Sequence, residues 1–410
     1  MEKNVNTTII KLKNILSFMR MKVKFIDLFC GAGGMTLGFE RAGARCIGGI
    51  EISKAACVTH SKNFPHCKVL DEDICNIKPE EFKKRLNIEN EVDIIVGGPP
   101  CPTFSTIGQA KIKSVGGNVD TDKRNKLFVN FLEYVNFFQP KFFVMENVPN
   151  FLTKNNGAIF QTTKNMIKNL KGNYKIIEPV QILNSVNYGV PQTRRRMFLI
   201  GCKNNYSYQY PKITHHNECH NNKQFELFNK TNKLKPPVTL FDAISDLPII
   251  TDDWRIDQVK YSRNNKLSFY QMMMREKTSN TVRNNRCRLT NDRAKILFKE
   301  MKQGSKYMDL PKEIRKILPF REDIFQDRLK KLNYNKPSWT IIAHLGMDGY
   351  MFIHPEQIRT ISVREAARIQ SFPDDFIFYG NMTETFVQIG NAVPCILAEK
   401  IATAILDSLN

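Results

Sequence analysis

The sequence lacks any apolar run that approaches the roughly 18 residues needed by a membrane-spanning helix. The first twenty residues also lack the compact apolar core of a signal peptide, because lysines are scattered through them. We therefore expect a cytoplasmic protein with no membrane partner. A strand-like pattern begins abruptly at Met21, so residues 1–20 are expected to be either an N-terminal extension or the product of an upstream start codon.

Cysteines with the paired spacing of a disulfide framework are also missing. The ten cysteines are more simply explained as reduced thiols, as is usual in a protein without a secretion signal. Acidic side chains are in deficit, with 40 Asp and Glu against 61 Lys and Arg, which gives a net charge of +21. A positive field of this size favours nucleic acid over acidic proteins as the partner.

The sequence has one compact group of possible metal ligands, His215, His216, Cys219 and His220, and it lacks a second, separated pair of ligands to go with them. Structural zinc sites usually take four ligands in two separated pairs. We therefore expect no metal.

Short apolar strands alternate with helical stretches from Lys22 to about Cys202, in a chain with no internal repeat. The strand candidates are KFIDLF, ARCIGGIE, VDIIVGG, KFFVMEN, YKIIEPVQIL and RRMFLIGC. This alternation is typical of a doubly wound α/β domain, and glycines and prolines follow several strands where such a sheet places its ligand loops. The stretch from about 203 to 339 differs, because it has few clean strands and carries more than half of the excess positive charge. It is interpreted as a binding region.

The stretch FIDLFCGAGG has the pattern of strand, glycine turn and helix. Gly31, Gly33 and Gly34 would let a ligand approach the backbone closely, although a plain tight turn gives the same pattern. Glu51 ends the next strand about twenty residues later, where a carboxylate commonly holds ribose hydroxyls. Asp73 and Ile74 follow the third strand. Together these strand ends suggest an adenosine-type cofactor.

The stretch GGPPCPTFS places Cys101 in a stiff loop after a buried strand. A lone cysteine is most often a small buried hydrophobe. The surrounding prolines and glycines favour presentation of the side chain instead, and a nucleophile there would need an environment that stabilises the thiolate. The loop alone does not decide between these alternatives.

Two further strand ends carry charge. Glu146 is either a general acid or a charge at a helix N-terminus. Arg194 and Arg196 would share one face of a strand with Arg195 on the other, which suits recognition of an anion or carbonyl, although a basic run is usually a solvated surface.

Taken in order, these motifs resemble those of the cytosine-C5 DNA methyltransferases of prokaryotic, restriction-modification type. They cover residues 25 to 394 and are FIDLFCGAGG, Glu51, Asp73-Ile74, GGPPCPTFS, MENVPNF, YGVPQTRRR, SVREAARIQSFPD and QIGNAVP. The resemblance implies a Rossmann-like S-adenosylmethionine-dependent methyltransferase domain formed by residues 21–203 and 340–410. It also implies a smaller, mixed target-recognition domain, inserted as residues 204–339.

The resemblance implies a mechanism as well. Cys101 would add to C6 of a flipped-out cytosine, Glu146 would bind N3, and Arg194 and Arg196 would hold the ring oxygen and the catalytic loop. S-adenosylmethionine is the implied cofactor. Its implied contacts are Phe29, Gly31, Gly33, Gly34, Glu51, Asp73, Ile74, Pro100 and Asn391.

The implied partner is double-stranded DNA, bound by a protein that is expected to act as a monomer, with a possible cognate restriction endonuclease acting separately. The implied location is the bacterial cytosol or nucleoid. Two alternatives remain open. One is a tRNA cytosine-C5 methyltransferase of the same fold, whose Cys-Phe-Thr signature is absent here, and the other is a catalytically silent DNA-binding relative. Arg283, Arg286 and Arg288 are candidates for guanine or phosphate contacts, although a solvated basic face explains them equally well. Arg364, Glu365 and Arg368 are interpreted as a structural, ion-paired helix.

Overall fold

The computed structural model describes residues 23–100, 127–217, 234–250, 256–261, 266–278, 280–320 and 329–409. The expected N-terminal extension, residues 1–20, lies outside these ranges. The chain divides into two compact units. The first unit comprises Met1–Leu183, Arg195–Lys212 and Leu397–Asn410, and the second comprises Asn184–Arg194 and Ile213–Ile396.

A mixed sheet of eight strands runs in the order β3-β2-β1-β4-β5-β8-β6, with β7 paired to β8. Strands β3, β2, β1, β4 and β5 are parallel to one another, whereas β8 is antiparallel to both β5 and β6. The bounds are β1 Lys24–Leu28, β2 Arg45–Glu51, β3 Val69–Asp71, β4 Ile94–Gly97, β5 Phe142–Asn147, β6 Tyr174–Ile176, β7 Gln181–Asn184 and β8 Arg195–Lys203.

The strand order reverses between β1 and β4, because the chain runs outwards to β3 and then returns to the other side of β1. Such a switch point leaves a crevice at the carboxyl ends of the two strands, where α/β proteins place their ligands. The register sets Leu28 opposite Gly97, and Gly97 opposite Met145. The ends of β1, β4 and β5 therefore lie side by side, and each is followed by a motif found in the sequence.

Helices of the first unit cover the sheet and fill its core. They are α1 Gly34–Arg41, α2 Lys54–Asn63, α3 Pro79–Leu86, α4 Leu127–Phe138 and α5 Ala158–Lys168. The core joins Phe131 and Leu132 of α4 to Phe143 of β5 and Leu199 of β8, all of them almost inaccessible to solvent. Burial on this scale explains the long apolar runs of β4 and β5, since a central strand is covered on both faces.

The second unit is built from short elements. Its helices are α6 Leu240–Ile244, α7 Phe269–Met274, α8 Asp292–Glu300, α9 Lys312–Arg315, α10 Val363–Ile369 and α11 Met382–Asn391. The final helix, α12, spans Cys395–Leu409, and its residues from Leu397 onwards belong to the first unit. Two small ribbons pair β9 Val259–Lys260 with β10 Thr281–Val282, and β11 Lys330–Lys331 with β12 Phe352–Ile353. A separate core cluster includes Leu297, Phe298, Tyr307 and Leu329.

The predicted α/β class is confirmed, and the predicted strands are present. One difference is that YKIIEPVQIL forms two strands, β6 and β7, instead of one, because Glu178-Pro179 lies between them. A second is that β6 and β8 run antiparallel to their neighbours at one edge. Residues 340–396 lie in the second unit. The assignment of a catalytic domain and a target-recognition domain to segments of the chain stays a prediction.

One helical stretch among the described residues, 382–409, is long and apolar enough to pass as a membrane span by length and composition. Its most apolar window is largely buried inside the protein. Pro394 also separates it into α11 and α12. Burial of this kind is typical of a core helix.

Candidate active site

The glycine turn after β1 depends on backbone conformations that few residues adopt. Phe29, Gly31 and Gly33 have φ values of 60°, 54° and 102°. A Cβ at Gly33 would lie 2.5 Å from the ring of Phe64 and 3.1 Å from the ring of His60. Glycine is therefore required at position 33 by both conformation and space. Gly34 then begins α1, as the sequence indicated.

Glu51, at the end of β2, is fixed against this turn. Its Oε2 accepts a hydrogen bond of 3.0 Å from the backbone N–H of Gly31, and its Oε1 accepts one of 2.9 Å from Ser53. Burial raises the pKa of the Glu51 carboxyl above its ordinary value, while these N–H donors oppose the rise. The structure thus brings together two predicted site residues, Gly31 and Glu51.

Ile52 is a residue that the sequence analysis missed. It directly follows Glu51, and 67% of its side-chain surface is exposed. An exposed isoleucine directly after the predicted ribose ligand offers an apolar face to a ligand. The available signal was its position, immediately after the acidic end of a strand.

Asp73 and Ile74 take different roles from each other. Asp73 caps a short 3-10 helix, Ile74–Asn76, by accepting a hydrogen bond of 2.9 Å from the backbone N–H of Cys75. The Ile74 side chain is buried in the core of the first unit. The cofactor contacts predicted for these residues stay predictions.

A buried polar chain under the glycine turn was also missed. Thr36 in α1 donates from Oγ1 to Oδ2 of Asp27 at 2.7 Å. Oγ1 of Thr36 also lies 3.0 Å from Nε2 of His60. Burial raises the pKa of Asp27 to about 7 and lowers that of His60 to about 3. Asp27 lies inside the hydrophobic run FIDLF, and nothing in that local sequence distinguishes it from an ordinary polar residue of a strand.

Glu146 lies within β5, one residue before the strand ends, and not at a helix N-terminus. Its Oε1 is 2.9 Å from Nε of Arg196, which lies near the start of β8. Both side chains are largely buried. Burial lowers the pKa of Arg196, and the charge of Glu146 opposes that shift. The structure therefore unites two of the predicted catalytic residues in one ion pair.

The loop that leads to Cys101 starts against Glu146. A Cβ at Gly98 would lie 2.9 Å from Oε2 of Glu146, so a larger residue would make the carboxylate or the loop shift. Asn147 donates from Nδ2 to the carbonyl oxygen of Pro99 at 3.1 Å. Pro100 is exposed at the last described position. Cys101 itself lies outside the described residues.

Arg194 differs from Arg196 in its surroundings. It is 1% exposed, and its terminal nitrogens donate to the carbonyl oxygens of Ile341 at 2.7 Å and Gly390 at 3.1 Å. These two hydrogen bonds to backbone carbonyl oxygens within the second unit give the Arg194 guanidinium a structural role. Arg195, by contrast, is exposed. The catalytic role of Arg194 stays a prediction.

Asn391 is the last residue of α11, and its side chain is exposed. The helix ends there because Ala392 adopts an extended conformation and Pro394 follows. Its predicted contact with the cofactor is untested by this geometry.

The three arginines proposed for DNA contact are not equivalent. Arg288 donates to the carbonyl oxygen of Gly346, and Arg286 donates to that of Gly380 and pairs with Asp257 at 3.3 Å. These contacts fix both side chains within the second unit. Arg283 is the exposed member of the three.

The predicted structural role of the helix around Arg368 is confirmed, but its ion pairs reach beyond the helix. Arg368 binds Asp246 and Asp374, with closest N···O distances of 2.9 and 2.6 Å. Glu365 pairs instead with Arg359 at 2.6 Å.

The proposed histidine and cysteine group is only partly within the described residues, since Cys219 and His220 fall outside them. Within the described ranges, no three His, Cys, Asp or Glu side chains cluster as metal ligands do.

The family of C-5 cytosine-specific DNA methylases matches residues 23–407 of the chain. The chain is 35% identical to the type II methyltransferase M.DdeI of Desulfomicrobium norvegicum, over 93% of this chain and 88% of that protein. It is 32% identical to M1.HphI of Haemophilus parahaemolyticus, over 94% and 87% of the two chains.

Among solved structures, the chain resembles a protein of an Escherichia coli prophage assigned as a DNA modification methyltransferase. The TM-score is 0.70 at 26% identity, over 95% of this chain and 100% of that one. The S. pombe Dnmt2 methyltransferase shares the fold, with a TM-score of 0.53 at 14% identity over 95% and 100% of the chains. The chain therefore belongs to the C-5 cytosine-specific DNA methylases, and it is a DNA cytosine-5 methyltransferase whose relatives named above are type II methyltransferases.

Proposed function

We propose that the protein methylates C5 of a flipped-out cytosine in duplex DNA, with S-adenosylmethionine as methyl donor and Cys101 as nucleophile. The observation that supports this most directly is the Glu146–Arg196 ion pair, which stands against Gly98 at the start of the loop carrying Cys101. A carboxyl group and a guanidinium in one buried place suit recognition of the N3 and O2 edge of a cytosine.

The glycine turn suits the proposed cofactor. Glu51 is oriented by the N–H groups of Gly31 and Ser53, so its carboxylate is held where ribose hydroxyls can donate to it. Ile52 offers an exposed apolar face to an adenine ring. When bound, the cofactor supplies an electrophilic methyl group.

The chemistry explains why a thiol and a carboxyl group are both needed. Cytosine C5 is a poor nucleophile until the thiolate of Cys101 adds to C6, which gives C5 the character of an enamine carbon. This addition places negative charge on the ring, and Glu146 stabilises it by a hydrogen bond or proton at N3. After methyl transfer, a base removes the C5 proton, the C5=C6 double bond re-forms and the C6–S bond breaks, which releases Cys101 as the thiolate.

The base must leave the stack because C5 and C6 are inaccessible to a thiol within a duplex. We assign recognition of the target sequence to residues 204–339, whose basic composition suits DNA phosphates. The protein is proposed to act as a monomer in the bacterial cytosol, beside a separate restriction endonuclease.

The test is transfer of tritium from labelled S-adenosylmethionine to duplex DNA, with Cys101→Ser as the matched control. We expect label in the DNA with the wild type and loss of transfer with the variant. A covalent complex with DNA containing 5-fluorocytosine would identify the thiol, because fluorine cannot leave C5 as a proton does. Equal label from both proteins would contradict the covalent mechanism, and transfer to tRNA in place of DNA would contradict the substrate. Bisulfite sequencing of DNA from expressing cells then reads the target sequence.

A further inference from the structure

A cluster of three buried polar side chains lies in the second unit, formed by Gln192, Arg194 and Gln370. Each of them is 1% exposed or less. Gln192 donates from Nε2 to Oε1 of Gln370 at 2.6 Å, and its own Oε1 accepts a bond of 3.0 Å from the N–H of Ile341. Buried amide side chains linked by hydrogen bonds in this way are held in one orientation, because rotation of either amide would break several of these hydrogen bonds.

The cluster converges on the backbone around Asn391. Gln370 donates from Nε2 to the carbonyl oxygens of Ile389 at 2.8 Å and Ala392 at 3.3 Å. Arg194 donates to the carbonyl oxygen of Gly390 at 3.1 Å. The carbonyl groups on either side of Asn391 are therefore bound, while its own side chain faces solvent.

Gly390 adds a second constraint at the same place. A Cβ there would lie 2.2 Å from the backbone N of Ala343 and 2.2 Å from the carbonyl carbon of Ile342. The end of α11 is thus pressed against the backbone of 342–343. Arg194 donates a hydrogen bond to the carbonyl oxygen of Ile341, the residue directly before this segment.

We propose that Gln192, Arg194 and Gln370 are positioning residues that fix the backbone of Asn391, so that its exposed amide is held ready to bind S-adenosylmethionine. This inference rests on the proposed function, in which S-adenosylmethionine is the methyl donor, and on the cofactor contact that the family resemblance implies for Asn391. None of the three residues needs to touch a reacting atom. Their effect is on cofactor affinity, because a mobile helix end would have to be ordered each time the cofactor binds.

The first test is Gln370→Met, which keeps the length of the side chain and removes the amide. Gln388→Met is the matched control, because Gln388 is also a buried glutamine of the α11 region, 4% exposed, but donates to the carbonyl oxygen of Tyr379 at 2.9 Å. We expect about a tenfold rise in KM for S-adenosylmethionine in Gln370→Met with kcat within about twofold of the wild type. In Gln388→Met the KM should stay unchanged. An unchanged KM in Gln370→Met, or an equal rise in both variants, would overturn the proposal.

A double-mutant cycle separates positioning from general destabilisation. Asn391→Ala and the double variant with Gln370→Met are compared for S-adenosylmethionine affinity by calorimetry. If Gln370 acts through Asn391, the double variant binds no more weakly than Asn391→Ala alone. Additive losses would contradict the inference. Gln192→Met is taken through the same cycle, so that the cluster is tested through a second member if Gln370→Met is poorly folded.

The wild type distinguishes failure of this inference from failure of the proposed function. Wild-type protein that binds no S-adenosylmethionine contradicts the proposed function itself. Normal wild-type binding with an unaffected Gln370→Met variant contradicts only the positioning role.

Discussion

Arg196 and Glu146 form an ion pair across two antiparallel strands, with Nε of Arg196 2.9 Å from Oε1 of Glu146. Oε2 of the same carboxylate lies against Gly98. One acidic side chain thus connects the basic motif of β8 to the loop that leads to Cys101. Four predictions follow from this and the other buried polar groups.

Arg196→Met removes the cation from a largely buried pair. We expect the free energy of unfolding to fall by about 3 kcal/mol, because the largely buried Glu146 carboxylate loses the charge of Arg196. Methyl transfer should fall with it by about a hundredfold or more. Chemical denaturation and the tritium assay measure the two effects.

Arg195→Met is the control for this variant, since Arg195 is the neighbouring residue on the same strand and is exposed. It should change stability by no more than about 0.5 kcal/mol. A similar loss of activity in both variants would mean that the strand as a whole, and not the pair, is responsible.

Gly98→Ala places a methyl group 2.9 Å from Oε2 of Glu146, a separation that real contacts essentially never show. The carboxylate or the loop must move, so we expect kcat to fall by about 10- to 100-fold. The yield of covalent complex with DNA containing 5-fluorocytosine should fall in parallel. If kcat stays at the wild-type value while the protein remains folded, the approach of Gly98 to Glu146 has no catalytic importance.

Asp27→Asn tests the raised pKa of a buried acid. Burial raises the pKa of Asp27 from 3.8 to about 7, so the folded protein keeps a proton that the unfolded chain has lost between these values. The cost of ionising Asp27 therefore lowers wild-type stability as pH rises from about 4 to 7. The unfolding free energy of the variant minus that of the wild type should increase over this window.

His60 acts in the opposite direction, which is why the difference between the two proteins is the quantity to measure. Burial lowers the pKa of His60 from 6.5 to about 3, so its contribution increases stability as pH rises between these values. Both proteins contain His60, and its contribution cancels in the difference. Urea unfolding at a series of pH values provides the data, and a flat difference would rule out the protonated form of Asp27.

Arg368→Met removes the arginine that joins Asp246 to Asp374. We expect a loss of about 3–5 kcal/mol in the free energy of unfolding, because two buried carboxylates are left without their shared cation. Arg293→Met, at an exposed position of α8, is the control and should change stability little. Thermal unfolding of the two variants compares them, and equal melting temperatures would contradict the structural role.

Much of the first unit followed from the sequence. Alternating strands, glycine turns and the acidic end of β2 are local patterns, because each depends on periodicity or on the conformational freedom of a few residues. The pattern FIDLFCGAGG thus predicted β1, the turn and α1, whereas the structure requires glycine at position 33 because of its positive φ and the closeness of Phe64 and His60.

The sequence by itself determined the order of the motifs, the α/β class and the candidate residues. Only the tertiary structure decided their partners, because contacts between residues far apart in the chain depend on strand order and register. From the local sequence pattern alone, Glu146 could equally have been a charge at a helix N-terminus. The antiparallel placement of β8 brings Arg196 to Glu146. The neighbouring Arg194 had the same local pattern, but its guanidinium is bound to backbone carbonyls near Asn391.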